Sequence, residues 1–373
     1  MKYNWQQEDW TEFKYELEKI NDTLLEFAEE TGVISGMLLT MPDDLQMEAV
    51  INQMVSEAIK TSEIEGEYFS RQDVISSIRN NLGLNKNPDA VKDKKAHGVG
   101  KLMVDVRTNF LEPLSEHMLF SWHETLMASR KNLSIGQWRF HEEPMQVVSG
   151  VLGREKVHFE APPSKQIPEE MSKFIHWFND TAPRGKREIS KAAVRSAIAH
   201  LYFESIHPFE DGNGRIGRAI AEKALSQTMG RPVLLSLSKT IESDKKSYYQ
   251  ALEMGQRSNQ ITEWIYYFVQ TLLLAQKHAR EVIDFILKKS KFFEQHKNEL
   301  NSRQLKVINK MFEAGTEGFV GGMNANKYIS ITSTSKATAT RDLQDLAERG
   351  VLIAVGGGRS TRYLLNWDIN RGE

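Results

Sequence analysis

Apolar residues recur every three to four positions over most of this chain, the period of a helix with one buried face. Between Trp10 and Glu30 the stripe runs through Phe13, Leu17, Ile20, Leu24 and Phe27. Over 43–61 it runs through Leu45, Met47, Val50, Met54, Val55 and Ile59. The polar stretch Asn80–Lys95, with Gly83 and Pro88, reads as a loop before the next helical run, and 112–131 reads as helix. The period then changes. Gln146–Phe159 carries Val147, Val148, Val151, Val157 and Phe159, is broken by Gly150 and Gly153, and ends before Pro162-Pro163, which predicts a β-hairpin. Helical spacing returns over 164–179 and 188–206, where Pro208 stops the second helix, and again over 216–229, 245–257 and 262–287.

Composition shifts after Lys288. The charged run KKSKFFEQHKNEL reads as a connector into a last module. There the pattern predicts a helix over 303–314, a Gly-rich turn, the Thr/Ser cluster Ser330–Ser335, a helix over 336–349, and strands over 351–355 and 361–365 flanking Gly356–Gly358. That order is the order of a winged helix-turn-helix. The expected fold is mainly α in three parts: an N-terminal helical domain (1–100), a helical core with a small β-hairpin (110–288), and a C-terminal winged helix-turn-helix (297–368).

Composition narrows the function classes. The 373 residues suffice for two or three domains with cores of their own. There is no Cys, which excludes disulfides, zinc-thiolate sites and a thiol nucleophile. A net charge of −2 gives no whole-chain argument for nucleic acid or an anionic membrane. The first ten residues lack the cationic and apolar regions of a secretory signal, and the most apolar stretch, Trp264–Ala275, is too short to span a bilayer. No membrane association is expected, and the expected location is cytoplasmic.

Candidate chemistry concentrates in residues 207–218, His-Pro-Phe-Glu-Asp-Gly-Asn-Gly-Arg-Ile-Gly-Arg. Gly212 and Gly214 around Asn213 permit positive φ, so that consecutive backbone N–H groups converge on an anion. The helix that begins near Arg215 adds the positive end of its dipole. Arg215 and Arg218, three apart, share a face and suit neighbouring phosphate oxygens. Asp211 is a hard oxygen donor suited to Mg²⁺, with Glu210 a rival for that role. His207, at the end of the preceding helix, suits proton abstraction from a hydroxyl near neutral pH. Gly212, Gly214 and Gly217 match G-x-G-x-x-G, but an amphipathic helix precedes them where a dinucleotide fold needs a strand, and no Walker A spacing exists.

HPFEDGNGR with a second Arg three residues on resembles the signature of the Fic family, and the resemblance covers about residues 110–285. It implies a Fic-like helical core that transfers AMP from Mg-ATP to a Ser, Thr or Tyr hydroxyl of a target protein, and to itself. By it His207 is the general base and Asp211 the metal ligand. Gly212, Asn213, Gly214, Arg215, Ile216, Gly217 and Arg218 form the nucleotide-binding segment. Thr61-Ser62-Glu63-Ile64-Glu65-Gly66 resembles the family's inhibitory helix, in which Glu65 pairs with Arg218 and misaligns ATP. The 146–159 hairpin resembles a flap that docks the target by β-strand addition. Tyr248-Tyr249 resembles a segment at the adenine pocket, with Tyr249 covering the base.

In the last module Lys336, Thr338, Thr340 and Arg341 on the recognition helix, with Arg359 and Arg362 on the wing, suit DNA phosphates, against Asp342, Asp345 and Glu348. DNA binding there, homodimerisation, removal of AMP from a modified protein, and a nucleotide-sensing DNA-binding regulator remain open alternatives.

Overall fold

The computed structural model describes residues 2–131, 133–149 and 156–366. Its helices are α1 (Asn21–Thr40), α2 (Asp43–Ile64), α3 (Arg71–Asn81), α4 (Lys94–Thr108) and α5 (Glu116–Met127). The antiparallel pair β1 (Gln146–Ser149) and β2 (Lys156–Glu160) follows, then α6 (Ile167–Asp180), α7 (Ala192–Ile206), α8 (Asn213–Met229), α9 (Leu237–Ser243), α10 (Lys245–Gly255) and α11 (Thr262–His296). The last stretch holds α12 (Ser302–Phe312), α13 (Ala325–Thr332), α14 (Lys336–Glu348) and the antiparallel pair β3 (Leu352–Val355) and β4 (Arg362–Leu365). The fold is mainly α, as the periodicity predicts. The hairpin tip, 150–155, and positions 367–368 of the last module lie outside the described residues.

Caps mark the helix starts. Asp93, Ser115, Ser236, Asp244, Asn301, Asn324 and Ser335 each accept a first-turn N–H, which satisfies a donor that has no partner within the helix. By compactness the chain falls into two units, Met1–Leu39 with Val50–Ala279 and Thr40–Ala49 with Arg280–Glu373. The N-terminal residues belong to the first unit. In that unit α7 is buried on every side from Ala193 to Ile206, and α8 nearly so, which makes this pair its central layer.

The N-terminus departs from the expected helix over 10–30. Residues 11–16 are not helical, Leu17–Lys19 form one 3₁₀ turn, and α1 begins only at Asn21. Tertiary bonds outcompete the local period. Lys14 N–H donates to Asn259 O (2.8 Å), Ile261 N–H to Lys14 O (2.8 Å), and the Trp10 indole to Glu170 Oε2 (2.7 Å). The Trp10 and Phe13 rings both meet Tyr202 edge-on.

The second unit corrects two readings. The charged run after Lys288 continues α11 to His296, because Phe292, two turns after Phe285, joins the unit's core with it while Lys and Glu sustain the helix. The Thr/Ser cluster begins inside a short helix, α13, whose last turn it forms, and which is capped by Asn324, anchored by the buried Tyr328 and ended by Ser333 at φ 56°. Three helices and a two-stranded ribbon then follow the predicted order. Among the described residues no helix is long and apolar enough to cross a membrane.

Candidate active site

The site is built where α7 ends and α8 begins. His207 caps α7 in the left-handed region (φ 52°, ψ 61°), and Pro208 prevents the helix from resuming. Arg139, buried and with no carboxylate partner among the described residues, donates from Nε to His207 O (2.8 Å) and from Nη1 to Ser164 Oγ (2.8 Å). It is a cation at the carbonyl end of α7, and burial lowers its pKa to about 10.

The turn itself is clamped from two sides. The Asn213 side chain closes on one residue, accepting from Phe209 N–H (2.9 Å) and donating to Phe209 O (2.8 Å). What Asn213 offers an anion is therefore its backbone N–H. The Phe209 ring stacks on His123 (centroids 4.1 Å, 15°). His123 Nδ1 accepts from Gly136 N–H (3.1 Å), so the ring proton sits on Nε2 and is donated to Asp211 O (3.2 Å). Burial pushes this imidazole down to about 4 and keeps it neutral.

Gly212 (φ 84°) starts α8, whose first-turn N–H groups have no carbonyl four residues back. Its neighbour Glu210 accepts from Ser134 N–H (3.2 Å), while Asp211 stays with the turn, 40% exposed, Oδ1 accepting from Gly212 N–H (2.6 Å). Among the described residues no three His, Asp or Glu side chains converge as a metal cage. A cation at Asp211 would draw its other ligands from phosphate and water, the donor set that Mg²⁺ accepts.

Both arginines of α8 are held by the end of α2. Arg218, 2% exposed, donates from Nε to Thr61 Oγ1 (2.8 Å), and from Nη2 to Thr61 O (3.0 Å) and Glu65 Oε1 (2.7 Å). Burial works against its charge, the Glu65 carboxylate more than compensates, and its pKa is raised. Arg215 pairs through Nη1 with Glu67 Oε2 (2.6 Å), and its Nε is buried with no hydrogen-bond partner. Glu67 also meets Lys95 (2.9 Å) and Arg130 (2.7 Å). Burial would raise its pKa, but the charges of Arg215, Lys95 and Arg130 prevail and lower it.

The chain reverses here for a local reason. Gly66 (φ 76°) donates to Glu63 O (3.1 Å) and Glu67 to Ser62 O (2.9 Å), the bond pair of a Schellman motif. That reversal aims both carboxylates, one on each side of the glycine, at α8. A Cβ on Gly214 would collide with Glu65 Oε1, so glycine is what lets this carboxylate lie against the first turn of α8.

The structure thus brings Thr61, Glu65, Asp211, Gly212, Asn213, Gly214, Arg215 and Arg218 together. Ile216 is buried and spends its N–H on Gly212 O (3.1 Å), and Gly217 packs against Glu204. His207 reaches the group through Glu204, whose Oε2 lies 3.6 Å from His207 Nδ1. Tyr248 is buried with its hydroxyl at 2.8 Å from His200 Nε2, while Tyr249 is 42% exposed with its ring 5.1 Å from Tyr248. Sequence reasoning missed Glu67, Glu204, Arg139 and His123. The first two were within reach, since Glu67 follows the helix-ending glycine and Glu204 lies one turn before His207.

Comparisons with known proteins agree. Residues 113–225 match the Fic/DOC family, residues 3–84 a domain of unknown function (DUF4172), and residues 316–366 the Transcriptional regulator DIP2311-like, C-terminal domain. A probable protein adenylyltransferase of Aquifex aeolicus (strain VF5) is 36% identical over 67 residues, 18% of this chain and 19% of that protein. The protein adenylyltransferase Fic of Nematostella vectensis is 31% identical over 88 residues, 24% of this chain and 19% of that protein. The chain therefore spans about a fifth of the length of these curated relatives. The crystal structure of a Fic family protein from Desulfovibrio desulfuricans G20 shares the fold, with a TM-score of 0.53 at 19% identity over 92% of this chain and 95% of that one.

Proposed function

The chain carries a Fic domain, and we propose that it is a protein adenylyltransferase that moves AMP from ATP to a Ser, Thr or Tyr hydroxyl of a target protein, itself included. One observation carries this reading: the Arg215 and Arg218 guanidinium groups lie on the first turns of α8 behind its glycine turn, and the helix before that turn ends on an imidazole. His207 takes the hydroxyl proton as the oxygen attacks the α-phosphorus. The bond to the bridging oxygen breaks, and pyrophosphate leaves. The α8 N–H groups and both arginines hold the phosphates, so most of the work is positioning and charge stabilisation. Asp211 would hold Mg²⁺, which neutralises phosphate charge when bound.

Glu65 is the brake in this reading. It neutralises Arg218 and fills space against Gly214. Glu67 does the same to Arg215, so releasing the site means freeing both arginines. The test is incubation of the Glu65→Gly chain with Mg²⁺ and ATP labelled at either the α- or the γ-phosphate. The expected result is α-label retained on protein and no γ-label. Retention of γ-label, or of neither, contradicts the reading.

A second reading concerns the C-terminal unit, and a specific observation favours it. Two of the carboxylates that argued against DNA are engaged inside the unit. Asp342 is buried against Arg303 (2.9 Å) and Tyr328 (2.8 Å), and Asp345 pairs with Arg349 (2.6 Å). Lys336, Thr340, Arg341 and Gln344 remain exposed along α14, and Arg362 is exposed on β4. The Arg359 side chain lies outside the described residues. We propose that this face docks on duplex DNA. Binding to mixed-sequence duplex should weaken steeply with salt and drop for Arg341→Ala. No binding even at low salt removes the idea.

A further inference from the structure

We infer that Glu204 is the positioning residue for His207: its buried carboxylate holds the proton on Nδ1, leaves Nε2 to receive the target hydroxyl's proton, and stabilises the imidazolium formed as AMP moves. This rests on the adenylyltransferase reading and adds a carboxylate–imidazole pair to it.

The geometry supplies the argument. Glu204 sits one turn before His207 on α7 and is 4% exposed, and its Oε2 is the carboxylate oxygen facing, at 3.6 Å, a buried Nδ1 that makes no hydrogen bond among the described residues. With Nδ1 turned inward, Nε2 is the nitrogen left for chemistry. A carboxylate so placed fixes the tautomer and favours the charged ring, as in other acid–base sites. The other ionisable groups near this carboxylate come from three helices. On α7, His200 is buried and kept neutral by burial, with Nε2 at 2.8 Å from the Tyr248 hydroxyl. On α8, Arg218 is already bound to Thr61 and Glu65. On α10, Tyr248 and Tyr249 feel the Glu204 charge, and both have raised pKa values, chiefly through burial. His207 is thus the partner left for Glu204. Burial works to raise the Glu204 pKa, but the interaction with His207, with the Arg218 charge, prevails and lowers it, so the carboxylate stays ionised.

An independent feature agrees. A Cβ on Gly217 would strike Glu204 Oε1. The glycine between the two arginines thus lets α8 close on α7 while Glu204 keeps its place beside His207.

The experiment uses the full-length chain with Glu65→Gly to release the site, comparing it with the same chain also carrying Glu204→Gln. Neutralising the carboxylate should lower kcat roughly 10- to 100-fold, the usual cost of losing a ligand-orienting partner, with KM for ATP changed less than about twofold. Because the imidazolium loses its counter-charge, the acid limb of kcat should move to lower pH by roughly one unit. Glu204→Asp, which keeps the charge, should recover much of kcat and leave the limb in place; it also serves as the test should Glu204→Gln not fold. Nitrogen NMR of the His207 ring gives a readout independent of turnover, with Nδ1–H dominant in the parent and lost in Glu204→Gln. An unchanged tautomer and acid limb overturn the inference. A ring that responds in a chain that transfers no AMP upholds the positioning contact and overturns the adenylyltransferase reading instead.

Discussion

Replacing His207 with Ala should lower AMP transfer by about 10²- to 10⁴-fold, the range a positioned general base contributes. The loss should fall on kcat, because no phosphate-gripping group changes. In the proposed reading the α8 N–H groups, Arg215 and Arg218 would grip the phosphates, and among the described residues none of these bonds to the imidazole ring. The His207 backbone is fixed separately, by its own N–H to Phe203 O (2.9 Å) and by Arg139 on its carbonyl (2.8 Å). The turn should therefore survive the substitution, and ATP should still raise the melting temperature of the Ala chain. Rate and ligand-induced melting shift, measured on the same preparation, separate a lost base from a lost site. Unchanged transfer would show that the proton goes elsewhere.

The second large effect has the opposite sign. Glu65→Gly should raise transfer about 5- to 150-fold, the span of a coupling of 1–3 kcal/mol between two states. The carboxylate holds Arg218 at 2.7 Å and lies where a polyphosphate would meet the first turn of α8. Its removal frees one guanidinium, while Arg215 stays with Glu67 at 2.6 Å. The double variant Glu65→Gly/Glu67→Gln should accordingly exceed the single one. It should also lose stability without nucleotide, because buried Arg218 is left without its carboxylate and buried Arg215 keeps only the longer Asp211 contact (3.6 Å), and regain it with ATP. Initial rates for the parent and both variants, at saturating ATP, decide the matter. Equal rates in all three remove the brake from the account.

Much of this was legible in the sequence because it is local. The 3.6-residue period marks α2, α6 and α8, and the turn after His207-Pro208 announces itself through a proline that stops one helix and glycines that reach backbone conformations other residues avoid. What was not legible depends on partners distant in the chain. The apolar stripe at 10–20 looks helical until Asn259 and Thr262 claim its backbone. The lysines and glutamates after Lys288 look like a linker until Phe292 finds a core. Glu67 looks like an ordinary surface charge until the Schellman turn at Gly66 swings it onto Arg215. Arg139, a lone arginine in a loop, shows its purpose only once the end of α7 is placed against it.

The central claim is that the imidazole ending α7 and the glycine turn opening α8 serve one triphosphate. A crystal structure of Glu65→Gly with Mg²⁺ and a non-hydrolysable ATP analogue tests it most directly. The account predicts the β- and γ-phosphates on the first-turn N–H groups of α8 between Arg215 and Arg218, with His207 Nε2 facing the α-phosphate. Nucleotide bound anywhere else, or the His207 ring turned from the phosphates, would contradict it.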